Sequence, residues 1–116
     1  MSETDIDLLL ICRQSGAGRQ LAQETLDMAL AFAAFDQKTQ LLFLEDGIWQ
    51  LIPDQEGKLA LKALEALSIY DIELCAEVDA LAQRGLSESD VQLEVNWISR
   101  SEMKPLLARA NRVMQL

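Results

Sequence analysis

Histidine is missing from this 116-residue sequence, and its absence excludes much of common enzyme chemistry. There can be no Ser-His-Asp triad, no Cys-His pair and no histidine ligand for a metal. Cysteine is scarce as well. Cys12 and Cys75 stand far apart and form no CxxC pair, so a structural zinc site is not expected. Chemistry performed by this chain itself would have to use a thiol or a carboxylate.

Basic residues are also few: 10 lysines and arginines stand against 19 acidic residues, which gives a formal charge of -9. A domain this acidic repels phosphate backbones, so no direct contact with nucleic acid is expected. The sequence has no apolar run approaching the roughly 20 residues of a membrane span. Its first residues, MSETDID, are acidic where a signal peptide would be basic. Together with cysteines that fit a reducing compartment, these features predict a cytoplasmic protein without membrane contact.

The composition that remains is globular, because half of the residues are hydrophobic and a quarter are charged. The length suits one domain over residues 1–116, and no repeat or linker divides it. Apolar runs and helical spacings alternate along the chain with short connections. The predicted strands cover 6–12, 39–44, 70–76, 91–97 and 112–116, and the predicted helices cover 19–35, 58–68, 77–83 and 101–110.

This alternation predicts an α/β fold: a three-layer α/β/α sandwich around a mostly parallel sheet of about five strands. In the fourth strand, apolar residues alternate with polar ones, so only one of its faces should be buried. Gly85 is the expected C-terminal cap of the third helix. Ser101 is a plausible N-cap of the last helix, although Pro105 would also fit a start near Lys104.

Two loops could bind a ligand. The loop Ser15-Gly16-Ala17-Gly18 follows a strand and opens a helix, which is the setting of a phosphate-binding loop. However, it lacks the third glycine of GxGxxG and the P-loop lysine, so a tight turn explains it more simply. The pair Glu45-Asp46 could bind a cation, but the sequence places no third oxygen ligand, and Asp46 before Gly47 is typical of a turn. The sequence therefore predicts no cofactor and no metal.

The thiols and the tryptophans each have two interpretations. Cys12 ends a buried strand and is expected to pack in the core. Cys75 precedes a predicted helix, where a thiol can be activated, but flanking Glu73 and Glu77 disfavour a thiolate; packing and reactivity both stay open. Trp49 and Trp97 lie near predicted strand ends. They could fill the core or form a contact between subunits.

Three stretches carry a resemblance to a known family: LFLEDGIWQLIPDQ (42–55), SIYDIELC (68–75) and QRGL (83–86). In their order and spacing they resemble the TusC-like, or DsrF-like, branch of the DsrE/DsrF/DsrH sulfur-relay family. The resemblance implies a DsrE/F-like fold. It also implies a subunit that assembles with TusB-like and TusD-like chains into a complex that passes persulfide sulfur from a TusA-like to a TusE-like protein. The end product would be 2-thiouridine at the wobble position of tRNA.

The same resemblance bears on individual residues. In the family, the sulfur-accepting cysteine belongs to the TusD-like subunit, and the matching position here is about Glu77, two residues from Cys75. This implies a structural partner without the acceptor thiol.

Two alternatives remain: a DsrF-like subunit of a sulfur-oxidation complex, or a chain whose own Cys75 carries persulfide. A third hypothesis is a stand-alone binding domain that uses the Gly16–Gly18 loop. The candidate interface residues are Asp46, Gly47, Trp49, Tyr70 and Trp97.

Overall fold

Parallel strands form the centre of the molecule in the computed structural model, which describes residues 5–13, 19–52, 67–91 and 93–115. In this part of the chain five strands make one sheet in the order β4-β3-β2-β1-β5, and every neighbouring pair is parallel. The strands are β1 (Ile6–Cys12), β2 (Thr39–Phe43), β3 (Glu73–Glu77), β4 (Asn96–Ile98) and β5 (Ala110–Gln115). The α-helices within the described residues are α1 (Arg19–Ala34), α2 (Val78–Gln83) and α3 (Arg100–Ala108).

Helices cover both faces of the sheet, as the alternating pattern predicts. On one face, side chains of β1, β2 and β3 pack with Ala29 of α1 and with Ala80 and Leu81 of α2. On the other face, side chains of the same three strands and of β4 pack with Leu106 of α3. Strands β1 and β2 are buried on both sides: β1 is apolar except for Asp7, whereas β2 buries Thr39 and Gln40 together with its three apolar residues. The predicted α/β sandwich with a parallel sheet is confirmed.

The strands with continuous apolar runs have the predicted positions, but the third begins later than expected. Residues Leu67–Tyr70 form a 3-10 turn. The Ile72 backbone N–H donates to the Leu67 carbonyl at 3.2 Å across this turn. Asp71 has a φ of 58° there, and Asp36 has the same φ after α1. Aspartate tolerates this left-handed conformation better than most residues. Each aspartate therefore ends one element just before a strand begins.

The fourth predicted strand, 91–97, is wrong for most of its length, because β4 covers only Asn96–Ile98. The register explains this: Cys75 lies opposite Asn96, so Val91 and Leu93 lie beyond the start of β3 and do not pair with that strand. The one-sided burial is nevertheless confirmed. The side chains of Val91, Leu93, Val95 and Trp97 all pack against the core on the α1 side.

The last helix begins at Arg100, so neither the Ser101 cap nor a start near Lys104 is correct. Ser99 is the N-cap: the Glu102 carboxylate accepts from its backbone N–H at 3.0 Å and from its hydroxyl at 2.9 Å. Pro105 lies inside the helix, where it removes one backbone hydrogen bond. The C-cap of α2 is Arg84 rather than the predicted Gly85, which follows directly with a φ of 69° and ends the helix in the left-handed conformation. The predicted helix 58–68 lies almost wholly outside the described residues.

Candidate functional site

The segment Glu45–Leu51 follows β2 at the carboxyl edge of the sheet and forms a 3-10 helix. In open parallel sheets, ligand and partner sites gather at this edge. Ile48 and Leu51 are buried and anchor the segment in the core. Trp49 is 41% exposed, so the segment presents an indole to the outside while its neighbours hold it in place.

Gly47 allows this segment to lie against the end of β1. Its backbone N–H donates to the Leu44 carbonyl at 2.8 Å, and the Leu44 N–H donates to the Cys12 carbonyl at 3.0 Å. A Cβ atom at position 47 would lie 1.9 Å from the same Cys12 oxygen. The glycine is therefore required by close backbone approach. Since Gly47 is buried, its contribution to any interface would be to shape the turn.

Glu45 and Asp46 each bind an arginine, and these arginines come from different elements. The Arg13 guanidinium, just after β1, donates to Glu45 at 3.0 Å and to the Gln115 side chain at the end of β5 at 3.1 Å. Arg84, just after α2, donates to Asp46 through Nη2 at 2.9 Å and through Nε at 3.1 Å. Among the described residues no cluster of carboxylates, cysteines or histidines could hold a metal ion. The two acids act as ion-pair partners that fasten the 45–51 segment on both sides.

The Asp46–Arg84 pair joins two of the sequence blocks that carry the family resemblance. Asp46-Gly47 lies in the block after β2, whereas Arg84-Gly85 lies in the block after α2. Arg84 also donates to the Ala80 carbonyl within its own helix at 3.2 Å. The Arg84 guanidinium is thus held by hydrogen bonds to two different segments, Asp46 and its own helix. The sequence analysis did not predict Arg13 and Arg84 as ion-pair partners of Glu45 and Asp46. A signal for them existed, because each arginine directly follows a strand or helix and the loop after β2 is acidic.

Cys75 is enclosed in the sheet. It lies inside β3, which continues through Glu77, and the residue is only 2% exposed. Its Sγ–H donates to the Oε1 atom of Gln40 on β2 at 3.4 Å, and Gln40 is equally buried. Burial, reinforced by the charge of Glu73, raises the pKa of the Cys75 thiol to about 11. A group in this environment is a poor nucleophile at neutral pH because the thiolate is the reactive form.

The remaining candidates do not form one site. Cys12 is also 2% exposed and packs in the core. Trp97 is half-buried against the core on the α1 side. Tyr70 is exposed, but it precedes β3 and therefore lies at the amino edge, away from Asp46 and Trp49. The glycine loop 15–18 lies outside the described residues, so its ligand-binding role stays a prediction.

Similarity to known proteins decides the family. A model of the DsrE/DsrF-like family matches residues 7–116. The chain belongs to this family. It is 36% identical to the protein TusC homolog of Pseudomonas aeruginosa, over 94% of this chain and 97% of that protein. It is 33% identical to the intracellular sulfur oxidation protein DsrF of Allochromatium vinosum, over 78% of this chain and 71% of that protein. The TusC-like resemblance is confirmed.

A solved structure supports the fold independently. The YchN protein from E. coli superimposes with a TM-score of 0.80 over 96% of this chain and 99% of that chain, at 16% sequence identity. At such low identity the match concerns the fold alone. In the DsrE/DsrF-like chain described here, no helix in the described ranges is long and apolar enough to cross a membrane.

Proposed function

We propose that this chain is the TusC-like subunit of a TusBCD-type sulfur-transfer complex and that it supports the persulfide relay without carrying the sulfur. The complex would accept sulfur from a TusA-like protein and pass it to a TusE-like protein for 2-thiouridine formation at the tRNA wobble position. The chain would act in the cytoplasm. TusB-like and TusD-like chains would be its direct partners, and it would not bind tRNA itself.

The burial of both cysteines carries this proposal. A sulfur carrier needs a thiolate that a partner's persulfide can reach. The chain has only Cys12 and Cys75, and each is 2% exposed. With the pKa of Cys75 raised to about 11, its thiolate would be present in about one molecule in ten thousand at pH 7.

The place that the resemblance assigns to the acceptor cysteine supports the same conclusion. That place is about Glu77, the last residue of β3, whose side chain is half-buried directly before α2. The strand end is thus the kind of position where a thiol could meet a partner, but a carboxylate occupies it here. A carboxylate cannot take up sulfur from a persulfide. The acceptor thiol would consequently come from a sister subunit.

Mass spectrometry of a reconstituted relay tests the proposal. The chain is co-expressed with the TusB-like and TusD-like proteins of its own organism, purified as a complex and incubated with persulfidated TusA-like donor. We expect co-elution of the three chains, one extra sulfur on a cysteine of the TusD-like subunit, and none on Cys75. A Cys75→Ser variant should support the same rate of transfer to the TusE-like acceptor.

Two results would count against this proposal. A chain that never co-elutes with the TusB-like and TusD-like proteins would exclude the complex. Extra sulfur on Cys75, together with loss of transfer in Cys75→Ser, would favour the alternative in which Cys75 carries persulfide.

A DsrF-like role in sulfur oxidation is the second candidate, and the similarity to the Allochromatium vinosum protein favours it. Deleting the gene separates the two candidates. Loss of 2-thiouridine from bulk tRNA supports the TusC-like role, whereas intact 2-thiouridine with impaired oxidation of stored sulfur supports the DsrF-like one.

A further inference from the structure

The amino edge of the sheet carries a cleft that the proposed relay does not explain. The cleft has a volume of about 960 Å³ and opens between the end of α1, the 67–70 turn and the segment before β4. Its apolar lining consists of Ala33, Ile72, Leu74, Leu93 and Val95. Because the strands are parallel, this edge lies at the opposite end of the sheet from the 45–51 segment.

The rim of this cleft is strongly acidic. Among the described residues that line it, four are carboxylates and one, Lys38, is basic. All four are exposed, and within the described ranges none of them forms an ion pair: they are Asp36, Asp71, Glu73 and Glu94. The carboxyl end of α1 adds partial negative charge, and no basic residue lies in its last turn. Lys38, and Arg109 near Glu73, offset only part of this negative charge, so the electrostatic potential of the cleft favours a cation.

Large apolar side chains stand beside the acidic rim. Phe35 and Ile69 are each 79% exposed, and Tyr70 is 58% exposed. They precede the rim residues Asp36 and Asp71 in the chain, and the 67–70 turn packs on α1, so the patch and the cleft are continuous. A patch of exposed side chains of this size is typical of an interaction surface. Interfaces of permanent complexes are more apolar than those of transient complexes, which the patch therefore suits.

We propose that this amino-edge cleft docks a basic segment of a sister subunit, in which lysine or arginine flanks an apolar side chain. The inference rests on the proposed function, since it names the surface through which the complex would assemble. A second copy of this chain fits poorly, because a chain with a net charge of -9 would bring further negative charge to an acidic rim. A polyanion such as tRNA is disfavoured for the same reason.

The rim offers substitutions that remove charge without threatening the fold. Asp36 and Asp71 both have a φ of 58°, a conformation that glycine adopts without steric strain. The double variant Asp36→Gly/Asp71→Gly thus deletes two rim carboxylates and relieves backbone strain at the same time. A matched control, Asp79→Asn/Glu88→Gln, removes the same charge from exposed positions outside the cleft.

The experiment compares the wild-type chain, both double variants and Phe35→Ser/Ile69→Ser in co-expression with the TusB-like and TusD-like proteins. Circular dichroism first establishes that each variant is folded. Dilution followed by size-exclusion chromatography then gives the apparent Kd of assembly at low and high salt. We expect the Asp36→Gly/Asp71→Gly variant to raise the Kd about tenfold at 50 mM salt and less at 1 M salt, where the Debye length is about 3 Å. Phe35→Ser/Ile69→Ser should weaken assembly at both salt concentrations, and the control should change the Kd by less than about twofold.

The outcomes separate this inference from the function on which it rests. If the wild-type chain fails to assemble, both fail. If it assembles and the cleft variants bind as tightly as the control, the relay role stands and the cleft is not the docking surface. If assembly is unchanged but transfer from the TusA-like donor is lost in the cleft variants alone, the occupant is the donor, and the assignment to a sister subunit is overturned.

Discussion

At the scale of single residues, Gly47 shows how one position determines the geometry of the carboxyl edge. The predicted role of Asp46-Gly47 was a turn, and the usual reason for glycine in a turn is a positive φ. In the described chain, the glycine with a positive φ is Gly85. Gly47 is needed for a different reason, which is the Cys12 carbonyl at the place where its Cβ would be. No sequence pattern reports such a contact, because it depends on how two distant segments meet.

Replacing Gly47 by alanine should therefore destabilise the fold more than the same change at Gly85. The Cys12 carbonyl belongs to a buried strand and cannot move aside easily, so we expect Gly47→Ala to cost about 3 kcal/mol. At Gly85 the added methyl would meet open space, and only the φ of 69° would oppose it, at about 1 kcal/mol. Urea unfolding of both variants measures the difference. Equal costs would contradict the close approach between the two segments.

The buried thiol of Cys75 should make stability depend on pH in the alkaline range. Burial raises the pKa of this thiol from the 9.0 of a free cysteine to about 11 in the folded chain, so the unfolded chain loses the proton first. The protonated thiol's contribution to the unfolding free energy is fully present below pH 9 and is lost as the pH rises through 11. Two pKa units correspond to about 3 kcal/mol. Unfolding free energies of wild type and Cys75→Ala, measured from pH 8 to 11, should converge at the alkaline end; a constant difference would show that the thiol does not titrate in this way.

At the scale of elements, continuous apolar runs correctly predicted buried strands, and a glycine correctly predicted the end of a helix. The runs in β1 and β2 predicted strands buried on both faces, since little except the centre of a parallel sheet accepts such a sequence. The 91–97 alternation was misleading about length. Alternation indicates which side of a strand is buried, but a strand also needs a neighbour to pair with, and the register with β3 leaves Val91 and Leu93 beyond the start of that strand. The last helix was misplaced because Ser99 and Ser101 are both good caps locally, and only Ser99 pairs with Glu102 at capping distance.

The ion pair between Asp46 and Arg84 should couple the 45–51 segment to α2. The Arg84 side chain is only 19% exposed, but Asp46 is 64% exposed, so solvent screening keeps the energy small. A double-mutant cycle with Asp46→Asn and Arg84→Gln should give a coupling of about 1 kcal/mol in unfolding free energy. The pair Glu45–Arg13 is the matched control, since both of its side chains are more than a third exposed. The coupling energy of the Glu45–Arg13 pair should be smaller than that of the Asp46–Arg84 pair. A larger value for Glu45–Arg13 would contradict this expectation.

At the scale of the whole molecule, the two edges of the sheet differ in character. At the carboxyl edge Glu45 pairs with Arg13 and Asp46 with Arg84, and Trp49 of the same segment is exposed. At the amino edge Asp5 pairs with Arg109, but the four carboxylates of the cleft rim form no ion pair within the described part of the chain, and Phe35 and Ile69 are exposed beside them. The sequence predicted five interface residues as one set. The fold separates Tyr70 from Asp46 and Trp49, because only the topology determines which loops share an edge.

The two tryptophans provide a direct test of assembly through the carboxyl edge. Trp49 is substantially exposed, whereas Trp97 packs half-buried against the core. We expect Trp49→Ala to lower the unfolding free energy of the isolated chain by less than about 1 kcal/mol, because much of the indole is already in water. The same variant should weaken association with the sister subunits by at least about 2 kcal/mol, roughly 30-fold in Kd, since exposed tryptophan is enriched among residues that dominate binding energy. Trp97→Ala should show the reverse, a loss of about 2 kcal/mol in unfolding free energy with a smaller direct effect on binding.

Chemical unfolding measures the stability of each variant, and size-exclusion titration measures its association. If Trp49→Ala leaves both unchanged, the indole serves neither fold nor assembly, and the proposed contact at this edge is wrong.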